Sequence, residues 1–432
     1  MSANLAGGVQ CTLNVPLLGD AIDDDEKRVV ASDSPNKNEA SFFHTCLNGS
    51  NSIAGIAAQS VAYALASGGW LSLALFFSIA AVAFYTALLM KRCMEKHSNI
   101  KTFPDMGERA FGKTGKLIAE ISMYTELYMV SIGFLILEGD NLSNLFSIQE
   151  FQVAGISIGA KQFFVILVAL IIFPTICLEN LSLISYVSAS GVFASAVIVL
   201  SVAWTAAFDG VGVHQKGDLL NWNGIPTAVS LYMYCYSAHP IFPVLYTSMK
   251  NKRQFSNVLC VCFMFATATF ASIAIIGYLM FGSKVESQIT LSLPLNKISS
   301  KIAIYTTLVT PLSKFSLMIL PITNALKELL PKSYKNNKMA NIFLSIILLI
   351  SMVIVTLALP FFGSLMALVG AFLSVLASFL LPCSCYLKIS GTYRNFGFET
   401  MAIMIIILVA ILMGICGTYT SVVELVQKSS NK

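Results

Sequence analysis

The stretch Asn48-Gly49-Ser50-Asn51-Ser52-Ile53-Ala54-Gly55 lies inside the first apolar segment of the chain, residues 42–66, yet it is small, polar and glycine-bearing. A second irregular segment, 225–247, opens with Gly224-Ile225-Pro226 and carries His239-Pro240-Ile241-Phe242-Pro243. Glycine tolerates non-helical backbone and proline removes a helical donor. Both segments therefore read as interrupted helices.

Their setting is a bilayer. Of 432 residues, 56% are hydrophobic and only 11% are Asp, Glu, Lys or Arg, against about 25% charged in an ordinary soluble domain. The mean hydropathy is +0.75. So few charges cannot cover the surface of a soluble protein of this size, and the chain reads as an all-α, polytopic membrane protein. A net charge of +5 does not point to nucleic acid, because the basic residues sit in short clusters between apolar runs. The ten cysteines lie mostly within apolar segments, Cys177, Cys235, Cys260, Cys262 and Cys416 among them, where Cys behaves as a small hydrophobe. Cys383 and Cys385 have no second pair to complete a zinc site, so no metal and no cofactor are expected.

A crossing helix needs about 20 mainly apolar residues. Eleven segments qualify, near 42–66, 69–90, 117–138, 161–178, 183–208, 225–247, 255–281, 302–325, 339–359, 361–387 and 400–424. Residues 1–40 are polar and acidic and read as a disordered tail, in which Pro16-Leu17-Leu18 is a weak dileucine-like sorting signal. With that tail cytosolic, nineteen of the 27 basic residues fall on the cytosolic side and seven on the other. The positive-inside rule then places the N-terminus in the cytosol and the C-terminus across the membrane.

If segments 1–5 (41–208) and 6–10 (225–388) are two inverted repeats, the two interrupted helices occupy matching first positions. The helix at 400–424 is then an addition. Transporters built this way bind substrate where matched helices are broken. N–H groups at a half-helix start attract a carboxylate, and freed carbonyls at a half-helix end hold a cation or an ammonium. A zwitterionic α-amino acid suits both. Glycines and prolines are also common in membrane helices simply because they let helices pack closely.

A charge at mid-membrane costs about 2.5–3.5 kcal/mol on insertion scales, so each one needs a reason. Lys314 falls near the centre of segment 8 and Glu126 near the centre of segment 3. They are expected to pair or share a proton, either as part of the coupling or as a fixed salt bridge. His239 is a candidate pH-sensitive group beside the second break, because histidine titrates near neutrality. A helical histidine is also commonly a packing residue, and His44 is the more speculative of the two. Glu138 and Asp140, at the outer end of segment 3, read as solvated. Asn141-Leu142-Ser143 fits a glycosylation sequon but sits close to the bilayer. Of Tyr232, Tyr234 and Tyr236, helical geometry lets one or two line a pocket.

Further motifs are distributed along nearly the whole hydrophobic region. They include Tyr63-Ala64, Gly68-Gly69-Trp70, Pro104-Asp105-Met106-Gly107, Ala110-Phe111-Gly112 and Tyr124-Thr125-Glu126-Leu127-Tyr128. Beyond these come Leu137-Glu138-Gly139-Asp140-Asn141-Leu142, Tyr236-Ser237-Ala238-His239, Phe242-Pro243 and Pro311-Leu312-Ser313-Lys314-Phe315. In this order the chain resembles the amino acid/auxin permease family, in its vacuolar and vesicular amino-acid transporter branch of plant and fungal type.

The resemblance implies an eleven-helix, five-plus-five inverted repeat of the leucine-transporter type. It also implies proton-coupled amino-acid transport, usually at an acidic organelle, with amino acid, protons and bilayer as partners. By position, Ile53, Ala54, Gly55, Ile56 and Ala57 form the unwound part that meets the amino acid, with Asn48, Tyr232, Tyr236 and Ser237 as further substrate candidates. Asn51 and Thr310 resemble the pair that binds a coupling ion in sodium-dependent relatives. Together with Glu126, His239 and Lys314 they are the ion- or proton-coupling candidates. Where the family usually shows Gly-x-Gly-x-Leu-Ser-x-Pro-Tyr, this chain has Ala57, Gln59 and Ala62 in place of glycine, leucine and proline. The usual Ser-Gly-His is Ser237-Ala238-His239.

No H-E-x-x-H, no Gly-x-Ser-x-Gly and no paired intramembrane aspartates suggest an enzyme. A channel or receptor does not predict two matched breaks. The expected function is secondary active transport of neutral amino acids across a vacuolar membrane by alternating access, as antiport or symport. The alternatives are a non-transporting sensor of the same fold and a plasma-membrane proton/amino-acid symporter.

Overall fold

The computed structural model describes residues 40–146, 148–153, 156–177, 184–331, 338–394 and 397–431. The acidic tail and its dileucine lie outside the described residues. The first apolar segment is two helices. Ser41 caps α1 (Phe42–Ile53), its hydroxyl accepting the N–H of His44 at 3.3 Å. A 3-10 turn over Ile56–Gln59 then leads into α2 (Val61–Gly68). The polar run 48–52 does not break the helix, because hydroxyls fold back on the backbone, as Ser52 does on the carbonyl of Asn48 at 2.7 Å. The helix stops later, at Ala54 (ψ +69°) and Gly55 (φ −105°, ψ −142°). Ala62, where the family has proline, sits inside α2 without closing the break.

α3 (Ser72–Lys96) contains neither Gly nor Pro and runs 25 residues. α4 (Phe103–Leu145) starts with a Thr102/Asp105 capping box. It turns sharply at Gly112, whose φ of +65° and ψ of −153° belong to a region essentially closed to residues with a Cβ. Gly112→Ala is expected to lower stability by about 1–3 kcal/mol, read as a lower unfolding temperature in detergent. A short antiparallel hairpin, β1 (Phe151–Val153) and β2 (Ile156–Ile158), pairs Phe151 with Ile158 and precedes α5 (Ala160–Cys177) and α6 (Ile184–Phe208).

The second irregular segment is likewise divided. α7 (Ile225–Cys235) begins with Pro226 in its first turn, where a missing N–H costs nothing. A 3-10 turn at His239–Ile241 and the short α8 (Phe242–Ser248) follow. Then come α9 (Phe255–Phe281), α10 (Ile289–Ser292), α11 (Ile298–Glu328) and α12 (Lys338–Ala358). α13 (Phe362–Leu368) passes through a π-helical stretch, Val369–Leu380, into α14 (Leu381–Ser390). α15 (Phe398–Ser430) ends the described chain.

Among the described residues six helices are long and apolar enough to cross a membrane, and Ala160–Pro174 and Ile342–Ala358 are shorter apolar helices. This is a helical membrane protein. Cys46, Cys93, Cys235, Cys262, Cys383 and Cys385 are buried free thiols.

The small-residue helix α2 forms the centre, with Val61, Ala62, Ala64 and Leu65 wholly buried between α7 and α9. α15 is the least enclosed of the long helices and turns Met404, Ile405, Leu408 and Leu412 outward. It is fastened near both ends. Glu399 pairs with Arg92 of α3 and accepts from the Tyr386 hydroxyl at 3.4 Å, while Lys428 reaches the Ser364 hydroxyl at 3.0 Å. Ala40 donates to the carbonyl of Ser248 and accepts from Lys250 N–H. The start of α1 and the end of α8 therefore share one face with the cluster Lys250, Lys252 and Arg253, called the basic face below.

Candidate functional site: two broken helices and the cleft between them

A helix end leaves its last carbonyls without intrahelical partners. At the end of α1 two are met from other helices. Lys314 of α11, itself 7% exposed, donates its ammonium to the carbonyl of Asn51 at 3.1 Å. Ser195 of α6 donates to the carbonyl of Ala54 at 3.4 Å and to that of Gly191 at 2.9 Å. The cation thus stands at the negative end of a helix dipole.

The side-chain Oδ1 of Asn51 is enclosed without a hydrogen-bond partner among the described residues. It faces Gly191 so closely that a Cβ there would come within 1.8 Å of it. Gly191→Ala must displace the Asn51 side chain or push α6 from α1, and such overpacking costs about 1–3 kcal/mol. A lowered unfolding temperature and reduced uptake are the expected results.

At the second break the α7 backbone closes with tight turns from Tyr236 to Met233 and from Ser237 to Tyr234. The Ser237 hydroxyl makes a very short hydrogen bond to Glu126 Oε1, and Ser374 of the π-helical stretch donates to the same oxygen at 3.0 Å. Glu126, buried in α4, ties the linker of the second break to a distant helix. His239 is fully buried, with Nε2 2.9 Å from the Thr86 hydroxyl and 3.1 Å from the carbonyl of Ala83. It pins the resumed helix to α3.

The expected pairing of Glu126 with Lys314 is corrected here. Among the described residues no ion pair joins them, and each serves a different break. The carboxylate receives hydroxyls at the second, and the ammonium meets a helix-end carbonyl at the first.

Beside the first break lies a cleft with an empty volume of about 400 Å3, its open mouth included. Ala54, Gly55 and Ile56 line it, with Thr310 and Pro311 of α11. Gln59, Ser195 and Thr307 supply further polar groups, and Phe134, Leu137, Ile198 and Ile273 the apolar walls. Among the described residues no charged side chain is in this lining.

Of the expected substrate residues, Asn48, Ile53, Ala57, Tyr232, Tyr236 and Ser237 are not on these walls. Tyr232 bonds Ser72 at 2.9 Å and Tyr236 bonds Thr267 at 2.9 Å, both inside an aromatic core with Phe76, Phe263 and Phe270. Their alternation with Met233 and Cys235 spreads them around α7, away from the cleft. His44 is exposed, and its ring bonds the Ser41 hydroxyl at 2.9 Å. Ser195 and Thr307 carried no signal of their own, since each is one of several hydroxyl residues on its helix, and Gln59 stood out only as a departure from the family's leucine.

Toward the face opposite the basic one, a polar layer covers the cleft. Gln59 Nε2 donates to the Thr307 hydroxyl at 3.0 Å, and Thr290 of α10 donates to Gln59 Oε1 at 3.3 Å. Gln288, just before α10, donates to Asp140 at 2.7 Å and accepts from Asn141 at 2.7 Å. Lys161 of α5 pairs with Asp140. The expectation that Glu138 and Asp140 are solvated is corrected, because they are only 1% and 6% exposed. The folded-back segment carrying Gln288 bonds Asp140 and its neighbour Asn141, and α5 packs against Gly139 between the two acids. Asn141 is wholly buried, which closes it to glycosylation in this state.

Comparison with known proteins accords with this architecture. A family model described as transmembrane amino acid transporter protein matches residues 38–424. Amino acid transporter AVT1I of Arabidopsis thaliana is 51% identical over 391 residues, covering 90% of this chain and 96% of the relative. Amino acid transporter AVT1J of the same plant is 52% identical, covering 93% and 95%. Amino acid transporter AVT1B is 40% identical over 93% of this chain. These relatives are named as transporters rather than enzymes. With broken helices at both expected positions and a match over most of its length, the chain belongs to the transmembrane amino acid transporter family.

Proposed function

We propose that the protein is a secondary active transporter. It moves neutral amino acids across a vacuolar membrane by alternating access, coupled to protons. The observation that carries this reading is the first break, which lines a cleft holding hydroxyl and amide groups and, among the described residues, no charged side chain. A neutral amino acid needs no counter-charge from side chains, because backbone donors at the half-helix start serve its carboxylate. Freed carbonyls serve its ammonium.

Lys314 supports protons over sodium as the coupling ion. Its ammonium already occupies the carbonyl of Asn51, beside Thr310, where sodium-dependent relatives are expected to bind their ion. Glu126 and His239 then remain as groups able to exchange a proton near the second break. In this reading the fold is an eleven-helix, five-plus-five inverted repeat spanning 41–208 and 225–388, with 400–424 added. The N-terminus and basic face are cytosolic and the C-terminus lumenal, following the distribution of basic residues.

The test is uptake of a labelled amino-acid panel into proteoliposomes under a pH gradient of either sign. Accumulation that follows the gradient is expected, and its sign gives antiport or symport. Uptake indifferent to the gradient would remove proton coupling. Binding without flux would make the protein a sensor.

A further inference from the structure

Glu138 plays no part in the reading above, and its surroundings set it apart from the acid two residues on. Asp140 has the ammonium of Lys161 and the amide of Gln288. Asn141 spends its amide on Gln288 and on the carbonyl of Leu137. Glu138 has nothing comparable: it is 1% exposed, and its Oε1 is enclosed without a hydrogen-bond partner among the described residues.

The elements around it offer no counter-charge. On α5 the nearby charge is Lys161, engaged with Asp140. Before α10 stands the exposed Glu286, itself an acid, and on α11 the exposed Lys301 and, further along, Lys314, which is engaged with the carbonyl of Asn51. α13 and the π-helical stretch contain no ionisable side chain. α12 carries only Lys338, at its far end, and on α4 itself Glu126 lies about 18 Å away by helical rise. An ionised carboxylate enclosed without donor or counter-charge is heavily penalised. A neutral carboxylic acid is not.

Its position is equally specific. Phe134 and Leu137 line the cleft, and Glu138 and Asn141 follow each by four residues, on the same side of α4. Glu138 therefore stands one layer beyond the cleft, under the cover formed by Gln288 and Thr290.

We propose that Glu138 is a proton-binding site of the transport cycle, loaded from the lumenal water when the Gln288 cover parts. Hydronium gives its proton to a carboxylate oxygen and leaves water, and the cover closes over the neutral acid. The reverse transfer to water empties the site when it is next exposed. This rests on the proton-coupled reading and adds to it the residue that takes the proton.

The experiment uses the full-length chain in proteoliposomes with a pH-sensitive dye inside. Glu138→Gln should lose substrate-driven proton flux while still exchanging labelled for unlabelled amino acid at equal pH. Glu138→Asp should restore the flux. Proton flux in Glu138→Gln equal to wild type overturns the site and leaves the transport reading standing. A wild-type protein that moves substrate without protons overturns the coupling itself, and the site with it. If Glu138→Gln fails to exchange, Glu138→Asp decides. A displaced pH midpoint of proton flux supports the site, and an unmoved midpoint overturns it.

Discussion

Replacing Lys314 with Met should reduce the initial rate of amino-acid uptake by about tenfold to a hundredfold. The charge-assisted hydrogen bond lost is worth about 1.5–3 kcal/mol, and every 1.4 kcal/mol or so is a factor of ten. The methionine fills much of the volume, so the effect isolates the ammonium. What it leaves behind is the carbonyl of Asn51, at the negative end of α1 and walled in by α6 and α11. Lys314→Arg should fail as well, because a planar fork cannot take the place of a compact point charge in this space. Rates are compared at matched protein abundance, with and without added sodium. Partial rescue of Lys314→Met by sodium would show that the free ion can stand where the ammonium stood. Uptake by Lys314→Met at the wild-type rate would refute a role for the contact.

Glu126→Gln should abolish accumulation against a concentration gradient under an imposed pH gradient, leaving at most equilibration. The substitution preserves the acceptor that Ser237 and Ser374 share but removes the charge and the exchangeable proton. It also introduces an amide whose N–H groups find no described acceptor, and a buried unpaired donor costs about 1–3 kcal/mol. A thermal unfolding measurement therefore accompanies the transport assay. Gradient-driven accumulation at the wild-type level would mean that Glu126 is a structural tie between the second break and the π-helical stretch and nothing more.

The two predictions depend on residues that sequence reading singled out within apolar segments, and that are buried, but to which it gave the wrong partners. Depth follows from position along an apolar segment, so Glu126 and Lys314 stand out without any structure. Which way each side chain points around its helix depends on how the helices pack, and that is not written in either segment. The first break shows the same division. Glycine and polar residues at 48–55 announced an interruption, yet the backbone leaves the helix only at Ala54–Gly55. Of the earlier polar residues, Ser52 returns its hydroxyl to the helix's own backbone, and Asn51 turns its side chain toward Gly191 of α6. Glu138 and Asp140 were misread for a non-local reason: the segment that meets Asp140 and Asn141 lies nearly 150 residues later in the chain, and nothing near residue 138 signals it. The polar walls of the cleft were equally hidden, since Gln59, Ser195 and Thr307 become a site only when three helices bring them together.

The opening at Ala54–Gly55 has a consequence for how such a protein changes over evolutionary time. Groups offered there by the main chain survive every side-chain replacement that keeps the opening open. In the proposed reading, recognition of what all amino acids share is thereby insulated from ordinary mutation, and Ala57 and Ala62 stand in place of a glycine and a proline with the opening still present. Divergence in substrate preference is left to the walls, at positions such as Phe134, Ser195 and Ile273. Ala54 and Ala57 are alanines already, and replacing Gly55 or Ile56 with alanine would register little of the recognition itself. Replacing single peptide bonds there with esters, which removes one donor at a time, is the perturbation that reaches it.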